Sequence, residues 1–309
     1  MRRFIIDTDT ASDDAVAIMM ALAYPEVVVD TVTVVAGNVP LAQASANARW
    51  TLETCRREDI PVHEGCDRPW LRAPATAEWF HGEDGMGNRH YPAPRRSAEA
   101  EHAVDALIRR CRAFPGEITL VTLGPLTNIA TALAVAPDLA TLVHHCYVMG
   151  GAPCTHGNVT PAAEYNIWCD PEAARRVLHS GMPLTLIGWE LSCGAATLSD
   201  EERAVIRGYD TPRARLALDC NAVALRAARE LQGQSGLALA DPVAMAVALD
   251  DTIAVERARC FVDIATAEET TRGMTVVDRL GVTDREPNAE VCFRIDVERW
   301  KALLGEALR

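Results

Sequence analysis

The segment Phe4-Ile5-Ile6-Asp7-Thr8-Asp9-Thr10-Ala11-Ser12-Asp13-Asp14-Ala15 places four acidic residues between two apolar runs. The first run predicts a buried strand and the run 15–23 predicts a helix, so the acids should occupy the turn between them. Burying like charges without partners is costly. An acidic helix N-cap explains some of these acids but not all four. Their spacing favours a site for a hard divalent cation, with one carboxylate free to act as a general base.

The composition restricts the classes of function. The 309 residues are 49% hydrophobic and 24% charged, which is typical of a soluble enzyme. A net charge of -13 argues against a nucleic-acid partner, because phosphate binding needs a basic face. Lys301 is the only lysine, which excludes a catalytic lysine from the central motifs. The ten cysteines are scattered without closely spaced pairs, which disfavours a zinc cluster.

The sequence carries no targeting or membrane signal. The apolar run before Asp7 has only three residues, too few for a secretory signal. No later run approaches the ~20 apolar residues of a membrane span. We therefore expect a cytoplasmic protein with reduced thiols and no membrane partner.

Short β-branched runs alternate with helical stretches through the first two-thirds of the chain. This alternation predicts an α/β fold, a single domain over residues 1–309 with a mostly parallel doubly wound sheet flanked by helices. The C-terminal third should add further helices, including one long helix over residues 213–231. The other predicted strands are 27–35, 117–123, 142–149, 184–187, 260–264 and 291–295, and the other predicted helices are 41–57, 126–135, 171–180 and one from Val297.

Polar or glycine-rich segments follow several of the predicted strands. Besides the acids, these are Gly37-Asn38, Leu123-Gly124 and Met149-Gly150-Gly151. Ligands bind outside the carboxyl ends of parallel strands, so these segments should converge on one crevice.

Other segments have two interpretations. Residues 81–88 contain His81 and three glycines, as in either a flexible lid or a plain surface loop. Glu164 and Asn166 are two apart, so in an extended segment they would face the same side and suit sugar hydroxyls. Asp170 and Asp241 each precede a proline, a pattern typical of a helix N-cap.

The pair Asp7-x-Asp9 also resembles the nucleophile loop of haloacid dehalogenase-like phosphatases. That family needs a downstream lysine and usually Thr or Val where this chain has Ala11. With Lys301 as its only lysine, the chain fits that family poorly.

Taken together, the segments resemble the nucleoside hydrolase family, the inosine/uridine-preferring ribonucleoside hydrolases. The resemblance runs in order through almost the whole chain. It covers Asp7-Thr8-Asp9 with Asp13-Asp14-Ala15, Gly37-Asn38-Val39, His81-Gly82-x-Asp84-Gly85, Gly124-Pro125-Leu126-Thr127-Asn128, Met149-Gly150-Gly151, Gly157-Asn158, Ala163-Glu164-x-Asn166, Asp170-Pro171-Glu172-Ala173-Ala174 and Asp241-Pro242.

The resemblance implies hydrolysis of the N-glycosidic bond of ribonucleosides to ribose and free base, with one bound Ca²⁺. The implied calcium ligands are Asp9, Asp14, the backbone carbonyl of Leu123 and Asp241. Asp9 would also be the base that activates the attacking water, and Asp7 a supporting group. The implied partners are a small nucleoside and further copies of the chain, since family members are commonly homodimers or homotetramers.

The resemblance also assigns the sugar contacts. Asp13 and Asn38 would bind the ribose hydroxyls, and Met149 would lie under the ribose. Asn158, Glu164 and Asn166 would hold the 5′-hydroxyl side. A negatively lined pocket of this kind suits the oxocarbenium-like transition state of glycosidic cleavage.

The leaving-group end departs from the family pattern. Many members carry a His before the late Asp as proton donor to the base, where this chain has Ala240. His81 is another candidate donor. Another branch favours purines and stacks them between aromatic rings, and candidate rings are Trp79, Phe80, Trp168 and Trp189. We therefore expect a preference for purine nucleosides; the alternative is a non-catalytic nucleoside- or ribose-binding relative.

Overall fold

A single nine-stranded sheet runs through the computed structural model, which describes all 309 residues. Its strands are β1 (Arg2–Thr8), β2 (Val27–Val34), β3 (Val62–Glu64), β4 (Ile118–Thr122), β5 (Val143–Met149), β6 (Leu184–Ile187), β7 (Ala254–Ile264), β8 (Thr275–Asp278) and β9 (Ala289–Ile295). Their order is β3-β2-β1-β4-β5-β6-β9-β7-β8, and only β7 runs opposite to the other strands, antiparallel to both β9 and β8. The predicted α/β fold with a mostly parallel sheet is confirmed.

Helices cover both faces of this sheet. They are α1 (Ser12–Ala23), α2 (Leu41–Thr54), α3 (Glu78–His81), α4 (Ala103–Ala113), α5 (Thr127–Val135), α6 (Leu139–Leu142), α7 (Tyr165–Cys169), α8 (Pro171–Leu178), α9 (Asp200–Arg207), α10 (Pro212–Cys220), α11 (Ala222–Gln232), α12 (Ala240–Leu249) and α13 (Val297–Leu308). Alternate residues of β1 enter separate cores, with Phe4 and Ile6 on one face and Ile5 on the other. This alternation is the period of two that a strand imposes. No helix is both long enough and apolar enough to cross a membrane.

The prediction of one long helix over residues 213–231 is wrong. The structure has α10 and α11, which meet at Asn221. The buried Asn221 amide donates to the Ala217 carbonyl at 2.9 Å and to the Ser12 carbonyl at 3.0 Å. A side chain that bonds backbone carbonyls in this way competes with regular helix geometry.

The strand register places the acidic segment at the topological switch point of the sheet. Asp7 lies within β1, paired with Thr33 of β2 and Thr122 of β4. The acids were expected to share one turn, but Asp13 and Asp14 lie in the first turn of α1, which begins one residue after Ala11. From β1 the chain proceeds to β2 and β3 on one side, then crosses to β4 on the other side of β1, and such a point opens a crevice.

Candidate active site

Three carboxylates from two helices meet at the floor of this crevice. Oxygen atoms of Asp13, Asp14 and Asp241 lie within 4.8 Å of one another. Asp13 and Asp14 come from α1 and Asp241 from the second position of α12, which packs against α1. Asp14 is fixed by the Thr8 hydroxyl at 2.6 Å and the Ala11 N–H at 2.9 Å. The N-cap interpretation of Asp241 is wrong, since the helix already begins at Ala240 and leaves the carboxylate available to the site.

Asp9 lies beside this group and is completely buried. Its Oδ2 accepts the Asn38 N–H at 2.6 Å, while its Oδ1 has no hydrogen-bond partner. A Cβ on Gly37 would lie 2.1 Å from Oδ2, and one on Gly124 would lie 2.7 Å from Oδ1. Both glycines are therefore required for the close approach of the backbone to this carboxylate.

The pKa values of these acids reflect burial and mutual repulsion. Burial raises the pKa of Asp9 well above its usual range, and the Asp14 charge adds to the effect. Burial and the Asp13 charge raise the pKa of Asp14 to about 6. Burial, Asp13 and Asp14 likewise raise the pKa of Asp241. An oxygen-only donor set with an unpartnered buried Oδ1 and mutual repulsion fits a hard divalent cation.

Asp7 supports the site from beneath. Its Oδ2 accepts the Thr33 hydroxyl at 2.6 Å and the Asn128 amide at 2.9 Å. Burial raises its pKa to about 7, against the lowering effect of those two hydrogen bonds. Its carboxylate does not line the pocket above.

One pocket brings together ten of the twelve residues predicted for the site. Asp9 and Asp14 are the two that lie beneath its surface. The predicted residues that line it are Asp13, Asn38, His81, Leu123, Met149, Asn158, Glu164, Asn166, Trp189 and Asp241.

The expectation that Glu164 and Asn166 share an extended segment is wrong, although both line the pocket. Glu164 is the N-cap of α7, and its carboxylate accepts the N–H groups of Gly151, Asn166 and Ile167 at 2.8, 2.9 and 3.2 Å. Burial raises the pKa of Glu164 to about 7 despite these bonds. The Asn166 amide donates to the Leu123 carbonyl at 2.7 Å, so one lone pair of that carbonyl remains for another partner.

His81 ends the short helix α3 and is buried at the pocket wall. Its Nδ1 lies 2.7 Å from the Ser12 Oγ and 3.8 Å from the Asp13 Oδ1. Burial lowers the pKa of His81, and the Asp13 charge opposes this. The following loop is held by Asp84, which accepts three backbone N–H groups. Much of the segment is buried, so the interpretation of residues 81–88 as a plain surface loop is wrong.

Three of the four candidate aromatic residues line the pocket: Trp79, Phe80 and Trp189. Trp189 is buried and donates its Nε1–H to the His156 carbonyl at 2.9 Å, whereas Trp79 is half exposed. Trp168 lies outside the pocket, under the Arg272 guanidinium at 4.2 Å. Asp170 is a structural N-cap as predicted, accepting the Ala173 N–H at 3.1 Å.

Sequence reasoning missed several lining residues. Ala240 was noted only because it stands where many family members carry a His, and it does line the pocket. The others were not identified because their approach to the pocket depends on tertiary packing: Ala77, Val159, Tyr165, Ser192, Gln232 and Ala238.

Comparison with known proteins agrees with this geometry. The model of the inosine-uridine preferring nucleoside hydrolase family matches residues 4–302. A pyrimidine-specific ribonucleoside hydrolase RihA from Shewanella sp. strain MR-7 is 38% identical over 99% of this chain and 96% of its own length. A plant nucleoside hydrolase, the PpNRh1 enzyme, superposes with a TM-score of 0.92 at 33% identity, covering 99% of this chain and 98% of its own.

A purine-preferring ribonucleoside hydrolase from Gardnerella vaginalis gives the same TM-score of 0.92 at 30% identity, covering 99% of this chain and 98% of its own. The match therefore extends over sequence, fold and nearly the full length. The chain belongs to the inosine-uridine preferring nucleoside hydrolase family and is a ribonucleoside hydrolase, an enzyme that cleaves N-glycosidic bonds.

Proposed function

We propose that this enzyme is Ca²⁺-dependent, releases ribose and free base, and favours purine nucleosides. The observation that carries the proposal is the acidic group at the pocket floor. Asp13, Asp14 and Asp241 converge within 4.8 Å, with the unpartnered Asp9 carboxylate beside them. Such a group has no stabilising cation among the side chains around it, and its oxygen donors suit calcium.

The residues that would hold the cation are Asp9, Asp14, Asp241 and the carbonyl oxygen of Leu123. Calcium, when bound, would fix the ribose diol and lower the pKa of the attacking water. Asp9 would accept the proton of that water. Its burial, its short bond from the Asn38 N–H and its raised pKa all favour a carboxylate held in one orientation and ready to take up a proton.

The sugar would lie over this floor. We assign Asp13 and Asn38 to the 2′- and 3′-hydroxyls, Met149 to the underside of the ribose, and the amide-rich wall to the 5′-hydroxyl. That wall consists of Asn158, Glu164 and Asn166, and all three line the pocket. Their support is prearranged, since Glu164 is held by three N–H groups and the Asn158 Oδ1 accepts the Tyr165 N–H at 2.9 Å. Fixed groups of this kind position a substrate without reorganisation.

Cleavage of the glycosidic bond leaves positive charge on the ribose ring. The fixed carboxylates of the pocket floor would stabilise this oxocarbenium-like charge more than the neutral substrate, which is the requirement for catalysis. No arginine or lysine side chain lines the pocket to oppose it.

The base preference rests on the other end of the pocket. Ala240 offers no proton to a leaving base, while Trp79, Phe80 and Trp189 offer rings for stacking. Several relatives of 34–38% identity are named pyrimidine-specific, whereas a structural neighbour of 30% identity is named purine-preferring. The preference therefore has to come from this chain's own side chains.

A nucleoside panel tests the proposal. The purified enzyme with Ca²⁺ is incubated with inosine, guanosine, adenosine, uridine or cytidine, and reducing sugar is measured, with Asp9→Asn as the control. We expect kcat/KM for inosine to exceed that for uridine by about tenfold or more, the scale of one differential base contact. Comparable values would refute the purine preference. No release above the control from any nucleoside would leave only the non-catalytic binder.

Chelation tests the metal. Activity lost with a chelator should return with Ca²⁺ and not with Zn²⁺, because Zn²⁺ prefers nitrogen and sulfur ligands. We also propose that residues 1–309 act as one domain and assemble into a homodimer or homotetramer. Light scattering on the same preparation measures the assembly, and a monomer would refute it.

A further inference from the structure

We propose that Ser12 is a positioning residue for the leaving-group step, acting through His81. In this proposal the Ser12 hydroxyl fixes the His81 ring so that Nε2 faces the pocket and carries the proton that the departing base accepts. The inference rests on the proposed hydrolase function and adds a residue to it.

The contact is short, buried and exclusive. Ser12 is completely buried and His81 is 7% exposed. The 2.7 Å contact to the His81 Nδ1 is the only hydrogen bond that the Ser12 hydroxyl makes. The opposite ring nitrogen, Nε2, has no hydrogen-bond partner in the protein. Since His81 lines the pocket, this nitrogen is the one available to a substrate.

The backbone of Ser12 is anchored on the other side. Its carbonyl accepts the Asn221 amide at 3.0 Å and the Cys220 thiol at 3.3 Å. This is the point at which α10 and α11 separate, so the helix break places a bond on the residue that contacts His81. Because the backbone of Ser12 is fixed in this way, its hydroxyl is kept next to the His81 ring.

The loop that carries His81 is tied to the acidic segment as well. The Asn47 amide donates to the Thr10 carbonyl and to the Asp84 carbonyl, each at 2.9 Å. Asp84 in turn holds the loop that follows His81. The backbone segments that carry Ser12 and His81 are therefore both held in place. The His81 ring packs against Phe80, and its hydrogen bond is to Ser12.

A hydroxyl suits both protonation states of the ring. When His81 is a cation, both ring nitrogens carry hydrogen and Nδ1–H can only donate, so the Ser12 oxygen accepts. The Nε2 proton then moves to a nitrogen of the base, which takes the electron pair of the breaking C1′–N bond and leaves neutral. His81 is left neutral with its hydrogen on Nδ1, still donated to Ser12. Water supplies the hydroxyl at C1′, and its proton passes to Asp9.

The first test compares leaving groups. Inosine needs a proton on its base, whereas p-nitrophenyl β-D-ribofuranoside releases a stable phenolate without one. We expect Ser12→Ala to lower kcat for inosine by about 10- to 100-fold, up to the lower limit of the contribution of general acid catalysis, because His81 itself remains, with KM within about threefold. The loss with the activated riboside should be at least about tenfold smaller. Equal losses with both substrates would overturn the proposal.

The second test is a double-mutant cycle with His81→Gln. If Ser12 acts through His81, Ser12→Ala should cause no further loss in the His81→Gln background. Additive losses would mean that Ser12 acts elsewhere and would overturn the proposal. Ser12→Thr keeps the hydroxyl and should restore most of the inosine rate. If Ser12→Ala does not fold, Ser12→Cys takes its place in the same cycle.

Ser45→Ala is the matched control. Ser45 is also completely buried, but its hydroxyl has no partner and lies outside the pocket. Its removal should leave both substrates at about the wild-type rate. Failure of the wild-type enzyme to hydrolyse inosine would refute the proposed function, whereas an active wild type without the predicted pattern would refute only the role of Ser12.

Discussion

Replacing Asp9 by Asn should stabilise the metal-free protein while it abolishes activity. The side chain keeps its volume but loses its charge. Asp9 is completely buried, its Oδ1 has no partner, and burial with the Asp14 charge raises its pKa. A group whose pKa is raised on folding contributes stability at low pH that is lost as pH rises through the folded pKa. The stabilisation by Asp9→Asn should therefore be larger at pH 8 than at pH 5.

The magnitude follows from the buried charge, because Asn keeps a polar atom at the Oδ1 position but carries no charge. Leaving a buried charged acceptor without a partner costs at least about 1–3 kcal/mol. For a chain of this size each kcal/mol shifts Tm by roughly 2 °C, so the expected rise at pH 8 is about 2–6 °C. Loss of the general base should lower kcat by about 10²–10⁴-fold, which raises the barrier by about 3–5 kcal/mol.

The assay is thermal unfolding at pH 5 and pH 8 with a chelator or with Ca²⁺, together with ribose release. The calcium-induced rise in Tm should largely disappear in Asp9→Asn. Asp30→Asn is the control, with an expected change in stability of the opposite sign. Burial acts to raise the pKa of Asp30, but hydrogen bonds from Arg110 and Arg3 outweigh it and lower that pKa. This variant should lose stability at pH 8 and keep its calcium response. Three results together would refute the reasoning: Asp9→Asn has a lower Tm than wild type without metal, keeps the full calcium-induced rise in Tm, and has a kcat within about tenfold of wild type.

Three further predictions concern the same site. Because the pKa of Asp14 is raised to about 6, calcium competes with protons for this carboxylate. In scanning fluorimetry, 5 mM Ca²⁺ should raise Tm by under about 2 °C at pH 5 and by over about 5 °C at pH 8, and equal shifts at the two pH values would contradict this. Gly124→Ala would place a Cβ 2.7 Å from the Asp9 Oδ1, so kcat should fall about 100-fold in a protein that still folds. The control is Gly208→Ala, which should retain activity because Gly208 has ordinary helical backbone geometry. Asp84→Ala removes the acceptor of three backbone N–H groups, and both Tm and kcat should fall, kcat by about tenfold; an unchanged kcat would show that this loop does not serve catalysis.

The sheet and the acid cluster were predictable because their signals are local. A short apolar run before Asp7 and an apolar helix after Asp14 suffice to place a strand, a turn and a helix. The rule for carboxyl ends of parallel strands then brings Asn38 and Leu123 to the same crevice, and the structure places them there. The strands β3 and β8 were not predicted, since β3 has only three residues and β8, unlike the equally short β6, is mostly not buried.

Asp170 and Asp241 show where local pattern fails. Each precedes a proline, and both patterns fit a helix N-cap. In the structure the Asp170 carboxylate is used by its own helix through Ala173, whereas Asp241 lies inside α12 and faces Asp14 across a helix contact. Only the packing of α12 on α1, more than 200 residues apart in sequence, separates the two roles.

Glu164 and Asn166 line the pocket, but not through the geometry that the sequence predicted. A spacing of two puts side chains on one side of a strand, but the segment is a helix N-terminus. Glu164 caps that helix and Asn166 occupies its first turn, so both approach the pocket by a different route. Their residue types suggested a sugar-binding role, which stays a prediction, while the backbone conformation depended on three N–H donors that sequence does not reveal.

The leaving-group end is where the chain's own sequence matters most. Ala240 adjoins Asp241 and presents only a methyl group to the pocket, and His81 is the only imidazole that lines it. His81 and solvent are then two candidate sources of a proton for the base, and stacking on the aromatic rings is the alternative to protonation. These routes differ in one measurable respect. If His81 supplies the proton, His81→Gln should slow inosine far more than an activated riboside; if stacking suffices, Trp189→Ala should carry that selective loss instead.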